Sequence, residues 1–332
     1  MTTKLTLRSP ADLLAAVPYL LGFHPADSVV LVALRGKRVI FQGRVDIPDA
    51  DDLDGLVPYL AEIAARQNPT GVTLIGYGPL ERVAGLLDAL GAAVSAAGVP
   101  VHDVLRVHDG RYWSLLCSEP SCCPPEGVEF DVAATAVAAA ATYEGLVALP
   151  DRAALAASLA PVPGTGIEPE LAAARERLAE LLGDGTRRRR SAARAAVREA
   201  LDRYTAGGRL DDDELAWLVV LLTDVAARDD AWQRILAVSP VAEHQTVWTD
   251  VVRRVPREYV AAPATLLALS AWRAGNGSLA DVAAQRALDA VPGYGLAELV
   301  REALRAGVPP SAIEPAEPAP RRRRAPRLSE AA

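Results

Sequence analysis

Every stretch with strand-like patterning lies before residue 117. Beyond the loop Pro161-Val162-Pro163-Gly164-Thr165-Gly166, apolar residues recur only at helical spacing. Such a chain must complete its sheet early and then bury what remains as helices. The strands are expected at Leu5 to Leu7, Val29 to Leu34, Val39 to Ile47, Val72 to Ile75, Val101 to Val107 and Tyr112 to Leu116. Between them, Ser9-Pro10-Ala11-Asp12 gives a capping-box-like start to a helix that presents Leu13, Val17, Leu20 and Leu21 on one face and stops near Gly22. Asp52 to Gln67 and Pro79 to Ala97 read as further helices. Arg35-Gly36-Lys37-Arg38 and Asp109-Gly110 are hairpin turns, because glycine tolerates the positive φ that tight turns demand. The expected fold class is α/β, a mixed sheet of about six strands with helices, followed by an all-helical domain.

The second half supplies its own periodicity. Leu171, Leu178 and Leu182, then Val197, Leu201 and Tyr204, then Leu215, Leu218, Val219, Leu222 and Val225 mark successive helices, and Asp211 with Glu214 forms another capping box. Leu267, Ala268, Gly275, Ala280, Ala287, Leu288 and Pro292 fit one tetratricopeptide-type helix pair, with no second copy upstream. An α/β domain over 1–160, a linker over 161–168, a helical domain over 169–308 and a disordered Pro/Arg-rich tail over 309–332 are expected. A chain of 332 residues, 51% apolar, has enough material for two cores.

Composition narrows the function classes. Net charge is -7 with an isoelectric point near 5.3, which makes nucleic acid an unlikely partner; the exceptions are the runs Arg187 to Arg190 and Arg321 to Arg324. The alanine-rich run from Val132 to Leu149 is interrupted by Thr135, Thr142, Tyr143, Glu144 and Gly145, so it reads as a buried helix and no membrane span is expected. The N-terminus has no signal-peptide pattern, so a cytoplasmic location is expected.

Strand direction sorts the candidate site residues into two groups. Right-handed crossovers make the strands ending at Ile47, Ile75 and Val107 parallel, so Asp46, Gly76-Tyr77-Gly78 and His108 share one end of the sheet with His24. Gly76-Tyr77-Gly78 joins a strand to a helix N-terminus, a place suited to ligands and anions, although two glycines also suit a plain turn. The residues His24-Pro25-Ala26-Asp27-Ser28 have hydrolase-triad types but are too close in sequence to converge.

The chain's three cysteines, Cys117, Cys122 and Cys123, fall at the opposite end, about 20 Å away for strands of six residues. Counting back from Asp109-Gly110 pairs His102 with Cys117. Three thiols and an imidazole could supply the four ligands zinc prefers, or a thiolate activated by histidine. Against both stands packing of small cysteines in a proline-rich turn, with adjacent Cys122 and Cys123 pointing apart if the segment is extended. A persistent disulfide is disfavoured in a reducing compartment.

The blocks Leu7-Arg8-Ser9-Pro10-Ala11-Asp12-Leu13-Leu14 and Leu21-Gly22-Phe23-His24-Pro25-Ala26-Asp27-Ser28, with Tyr112-Trp113-Ser114 and Cys122-Cys123-Pro124-Pro125-Glu126-Gly127, resemble those of an actinobacterial family, domain of unknown function 4192. The likeness extends to Trp272 and the Gly-Asn-Gly turn after it. It implies an actinobacterial cytoplasmic protein and brings no catalytic residues. A non-enzymatic regulatory or protein-interaction role, with a protein partner docked on the helical domain, is the first expectation. An enzyme or metal-binding protein built on Cys117, Cys122, Cys123 and His102 is the alternative.

Overall fold

Ser9 and Asp12 start the first helix as their spacing demands. The Ser9 hydroxyl accepts from Asp12 N–H at 3.1 Å, and the Asp12 carboxylate accepts from Arg8 N–H, one residue before the cap itself. The computed structural model describes residues 7–47, 53–164, 166–183, 185–237 and 241–313. The expected strand Leu5 to Leu7 lies almost wholly outside them, as does the tail after residue 313. Helix α1 (Pro10–Leu21) leads into β1 (Ser28–Arg35) and β2 (Arg38–Asp46), joined by a hairpin in which Gly36 takes φ 60. Next come α2 (Leu53–Arg66), β3 (Gly71–Tyr77), α3 (Leu80–Ala96), β4 (Val101–His108) and β5 (Arg111–Ser114). Among the described residues the sixth strand is β6 (Val128–Glu129), which follows the cysteines.

The sheet order is β2-β1-β3-β4-β5-β6. Strand β3 runs antiparallel to β1 and parallel to β4, so the C-terminal ends of β2, β3 and β4 share one edge, as the crossover argument requires. Each face has its own apolar layer. Val29, Leu31, Val72, Leu74 and Val104 pack with Val83, Leu87 and Leu90 of α3 and with α2. Val30, Val32, Ile75, Tyr77 and Leu105 face the other way, onto Leu14, Val17 and Leu21 of α1. At roughly 1.5–3 kcal/mol for each large apolar side chain buried, a layer of this size far exceeds what hairpin turns contribute.

That second layer continues without a break into the helices that follow: α4 (Ala136–Tyr143), α5 (Arg152–Ala157), α6 (Glu168–Gly183), α7 (Thr186–Thr205), α8 (Asp212–Leu221), α9 (Val225–Ala237) and α10 (Ala242–Arg254), then α11 (Ala261–Arg273), α12 (Gly277–Ala290) and α13 (Gly295–Arg305). The capping box at Asp211 and Glu214 is present in both directions. The Gln42 amide donates to the Leu20 and Gly275 carbonyls at 3.1 Å each, and the Gln67 amide donates to Gly307 O at 2.8 Å, tying the sheet to the helical part.

The helix pair anticipated around Gly275 is formed by α11 and α12, with Gly275 at φ 82 in the turn and Ala268, Ala280 and Ala287 fully buried between them. Nearly every residue of α11 is enclosed, by α9, α10, α12 and α13. Trp232, Trp248 and Trp272 belong to this core, while Trp217 is half-buried beneath the Arg177 guanidinium at 3.9 Å. No helix among the described residues is long and apolar enough to cross a membrane.

Candidate functional site

At the glycine-turn edge the named residues share an end of the sheet without converging. Asp46 pairs with Ser28, Ser28 with Tyr77, and Tyr77 with Val107, so Asp46 and His108 are about three strand spacings, roughly 14 Å, apart. His24 is exposed and Asp46 is bonded to Arg44 at 2.6 Å. His108 lies 3.4 Å from Asp109. Gly76 and Gly78 answer structural needs. A Cβ on Gly76 would stand 2.8 Å from Leu87 of α3, and Gly78 takes φ 146 with its N–H already donated to Val107 O at 3.0 Å. Tyr77 is buried, and burial raises its hydroxyl pKa. Its oxygen, Ser28 Oγ and Arg44 Nε have no hydrogen-bond partner among the described residues.

The cysteines lie beyond the other edge, past the end of β5, and there the side chains do converge. Cys117 Sγ is 3.3 Å from Cys122 Sγ, which is 3.6 Å from Cys123 Sγ; all three sulfurs lie within 4.8 Å of one another. An extended segment would have sent the adjacent thiols apart. Instead residues 120–122 turn, and both Cys122 N–H and Cys123 N–H donate to Glu119 O, at 3.2 and 2.8 Å. Cys122 is exposed and the other two half-buried, so these are not cysteines packed into a core.

His102 does not join them. The β3–β4 register slips at Val72/Thr73, where Val101 opposes Val72 and Asp103 opposes Thr73, so His102 is the extra residue of a bulge. Its ring turns toward β3 and covers Gly71, where any Cβ would collide with it. The β4–β5 ladder ends at Leu105 opposite Ser114, and the chain bends at Leu115 and Leu116, so the His102–Cys117 pair that strict counting gives is never formed.

Asp103 takes the place beside the thiols. Its Oδ1 accepts from Ser114 Oγ at 2.7 Å, and Ser114 Oγ accepts from Cys117 N–H at 3.2 Å. Trp113 braces the loop from the opposite face of β5. Its Nε1–H donates to Pro125 O at 3.0 Å, Arg106 stacks on its ring at 4.2 Å, and Gly127, at φ 80, lies against it so closely that a Cβ would stand 2.7 Å from Cζ2. Arg111 donates to Gly127 O at 2.9 Å and to Glu129 at 2.8 Å, closing the loop back onto β5. Asp103 and Arg111 carry no motif and were signalled only by nearness to the Asp109-Gly110 hairpin, while Ser114 stood in the family-like block Tyr112-Trp113-Ser114 without a role.

The thiols share protons unequally. Cys117 is held below the ordinary cysteine value because Cys123, the Glu119 backbone N–H and Cys122 all donate to its sulfur, outweighing burial and the Asp103 charge. Cys123 is pushed up to about 12, first by its bond to Cys117 and then by burial and Cys122; Cys122 also rises, chiefly through Cys117. Burial raises the Tyr112 hydroxyl, with Cys123, Asp103 and Cys122 acting in the same direction, which places that ring beside the cluster.

A family model described as Domain of unknown function (DUF4192) matches residues 10–311. The chain belongs to the DUF4192 family. The DUF4192 match runs from α1 to the 3-10 turn Pro310–Ala312, so it takes in the sheet, the cysteine loop and the helices together. No curated protein and no solved structure matches this DUF4192 chain. Of its two arginine runs, the one in α7 is partly spent on α9 and its approach: Arg189 pairs with Asp224 at 2.8 Å, and Arg190 and Arg194 both pair with Asp230. The run Arg321 to Arg324 lies outside the described residues.

Proposed function

We propose that this DUF4192 protein is a metal-thiolate protein whose Cys117, Cys122 and Cys123 take up one zinc ion at the sheet edge. The convergence of three sulfurs within 4.8 Å on a braced loop is the observation that carries the reading. Zinc–sulfur bonds of about 2.3 Å in tetrahedral geometry separate sulfurs by about 3.8 Å. The spacings of 3.3 and 3.6 Å therefore need to open only slightly. Soft thiolates select zinc over the hard cations that carboxylates prefer. Three protein ligands leave the fourth position for water or an incoming ligand, which is the pattern of an accessible site rather than a closed structural one. The regulatory, partner-docking reading of the helical half has weaker support, because nearly all of α11 is spent on packing against its neighbouring helices.

Zinc binding requires the protons on Cys122 and Cys123 to leave, so affinity should rise with pH. The test is competition of the reduced, untagged full-length protein against a chromogenic chelator. One zinc per chain is expected, lost in Cys117→Ser, Cys122→Ser and Cys123→Ser and kept in His102→Ala. A parent protein that holds no stoichiometric zinc at pH 8 refutes the proposal.

A further inference from the structure

The three thiols are unequal in a second respect, which bears on what peroxide would do to them. Cys117 and Cys122 stand closest, at 3.3 Å, and Cys122 is exposed. Cys122 and Cys123 are adjacent, so their α-carbons are about 3.8 Å apart, short of the usual range of about 4.4–6.8 Å for a disulfide, which disfavours a bond between them.

We propose that Cys117 and Cys122 form a peroxide-sensitive pair, and that their oxidation to a disulfide dismantles the metal site. In the first step the Cys117 thiolate attacks one oxygen of hydrogen peroxide. The O–O bond breaks, Cys117 becomes a sulfenic acid, and hydroxide departs with a proton as water. In the second, the Cys122 sulfur attacks the Cys117 sulfur, the S–O bond breaks, and a second water leaves. Two thiols and one peroxide thus give one disulfide and two waters. Cys123 stays reduced and is left as the sole thiolate donor, too few to retain zinc. The bond itself follows from the geometry of the loop; its consequence for metal rests on the zinc reading.

Two arms of one experiment separate the two. Reduced, metal-free full-length protein is treated with one equivalent of hydrogen peroxide, alkylated and mapped by mass spectrometry, and a zinc-loaded sample is treated alike in the presence of a chromogenic chelator. The expected result is a Cys117–Cys122 bond with Cys123 alkylated, and release of one zinc per chain. Cys123→Ser should form the same bond while binding zinc far more weakly. Cys122→Ser should leave Cys117 as a sulfenic acid that a dimedone probe captures. A bond between Cys117 and Cys123, or three thiols still free beside a bound zinc, overturns the inference and leaves the zinc reading standing. The bond without any zinc binding upholds the peroxide-sensitive pair and removes the metal.

Discussion

Gly127→Ala is the substitution that most directly tests whether the braced loop is what assembles the thiols. Gly127 occupies the left-handed region at φ 80, which costs an alanine roughly 1–2 kcal/mol. Its new methyl would stand 2.7 Å from Trp113 Cζ2, so the indole must move. Moving it forfeits the bond to Pro125 O, about 1 kcal/mol, and the stack under Arg106, about 0.5–1 kcal/mol. The free loop relaxes away from this arrangement, and zinc must restore it. A total near 3 kcal/mol corresponds to about two decades of affinity. Gly98→Ala is the control, since it pays a similar penalty at φ 80 after α3, where a Cβ meets nothing within 4 Å. Chelator competition should find zinc affinity about 100-fold weaker in Gly127→Ala and unchanged in Gly98→Ala. An affinity for Gly127→Ala within threefold of the parent would refute the brace.

Asp103→Asn removes a charge that opposes ionisation of Cys117 while keeping an acceptor for Ser114, so iodoacetamide labelling of Cys117 should begin at lower pH than in the parent. Unchanged labelling profiles would place the carboxylate too far off to matter. Tyr77→Phe deletes a buried hydroxyl without a partner and should be neutral or stabilising by about 1 kcal/mol in urea unfolding. A loss of more than 1 kcal/mol would reveal a partner. His244 is buried on α10, and burial, with help from Arg234, lowers its pKa to about 4 from 6.5. The unfolded chain therefore binds this proton first, and stability should fall as pH drops from 6.5 toward 4. His244→Gln should flatten that part of the profile, and an identical slope in the variant would contradict the assignment.

The parts of the fold that were legible in the sequence are those fixed by local chemistry. Asp109 and Gly110 both take positive φ, at 47 and 69, and the tight turn they form is what sends the cysteines to the edge away from Gly76. Ser9 and Asp211 cap helices because short side chains reach free N–H groups of the first turn, while Asp12 and Glu214 reach back to the N–H groups of Arg8 and Asp211. What was not legible depended on tertiary position. Strand β6 is two residues long and pairs with Arg111 and Tyr112 only because the loop before it is held by Trp113 and Arg111. No run of Val128-Glu129 could announce itself against the background of proline and glycine around it.

The bulge at His102 shows why counting along strands misplaced the fourth ligand while the thiols still came together. One inserted residue lets β4 start a register out, so Val101 and Val104 both keep to the α3 side although three positions separate them. His102 is thereby spent against Gly71, and Asp103 inherits the position beside Ser114. The sulfurs escape this slip because their convergence does not use the ladder at all. It comes from Glu119 O receiving two consecutive N–H groups. Every hydrogen bond described above for that loop comes from within residues 103–129, whereas the bonds that join sheet to helices run from Gln42 and Gln67 to the helical half. The chemistry of the cluster is therefore separable from the long-range fold, and damage to one need not travel to the other.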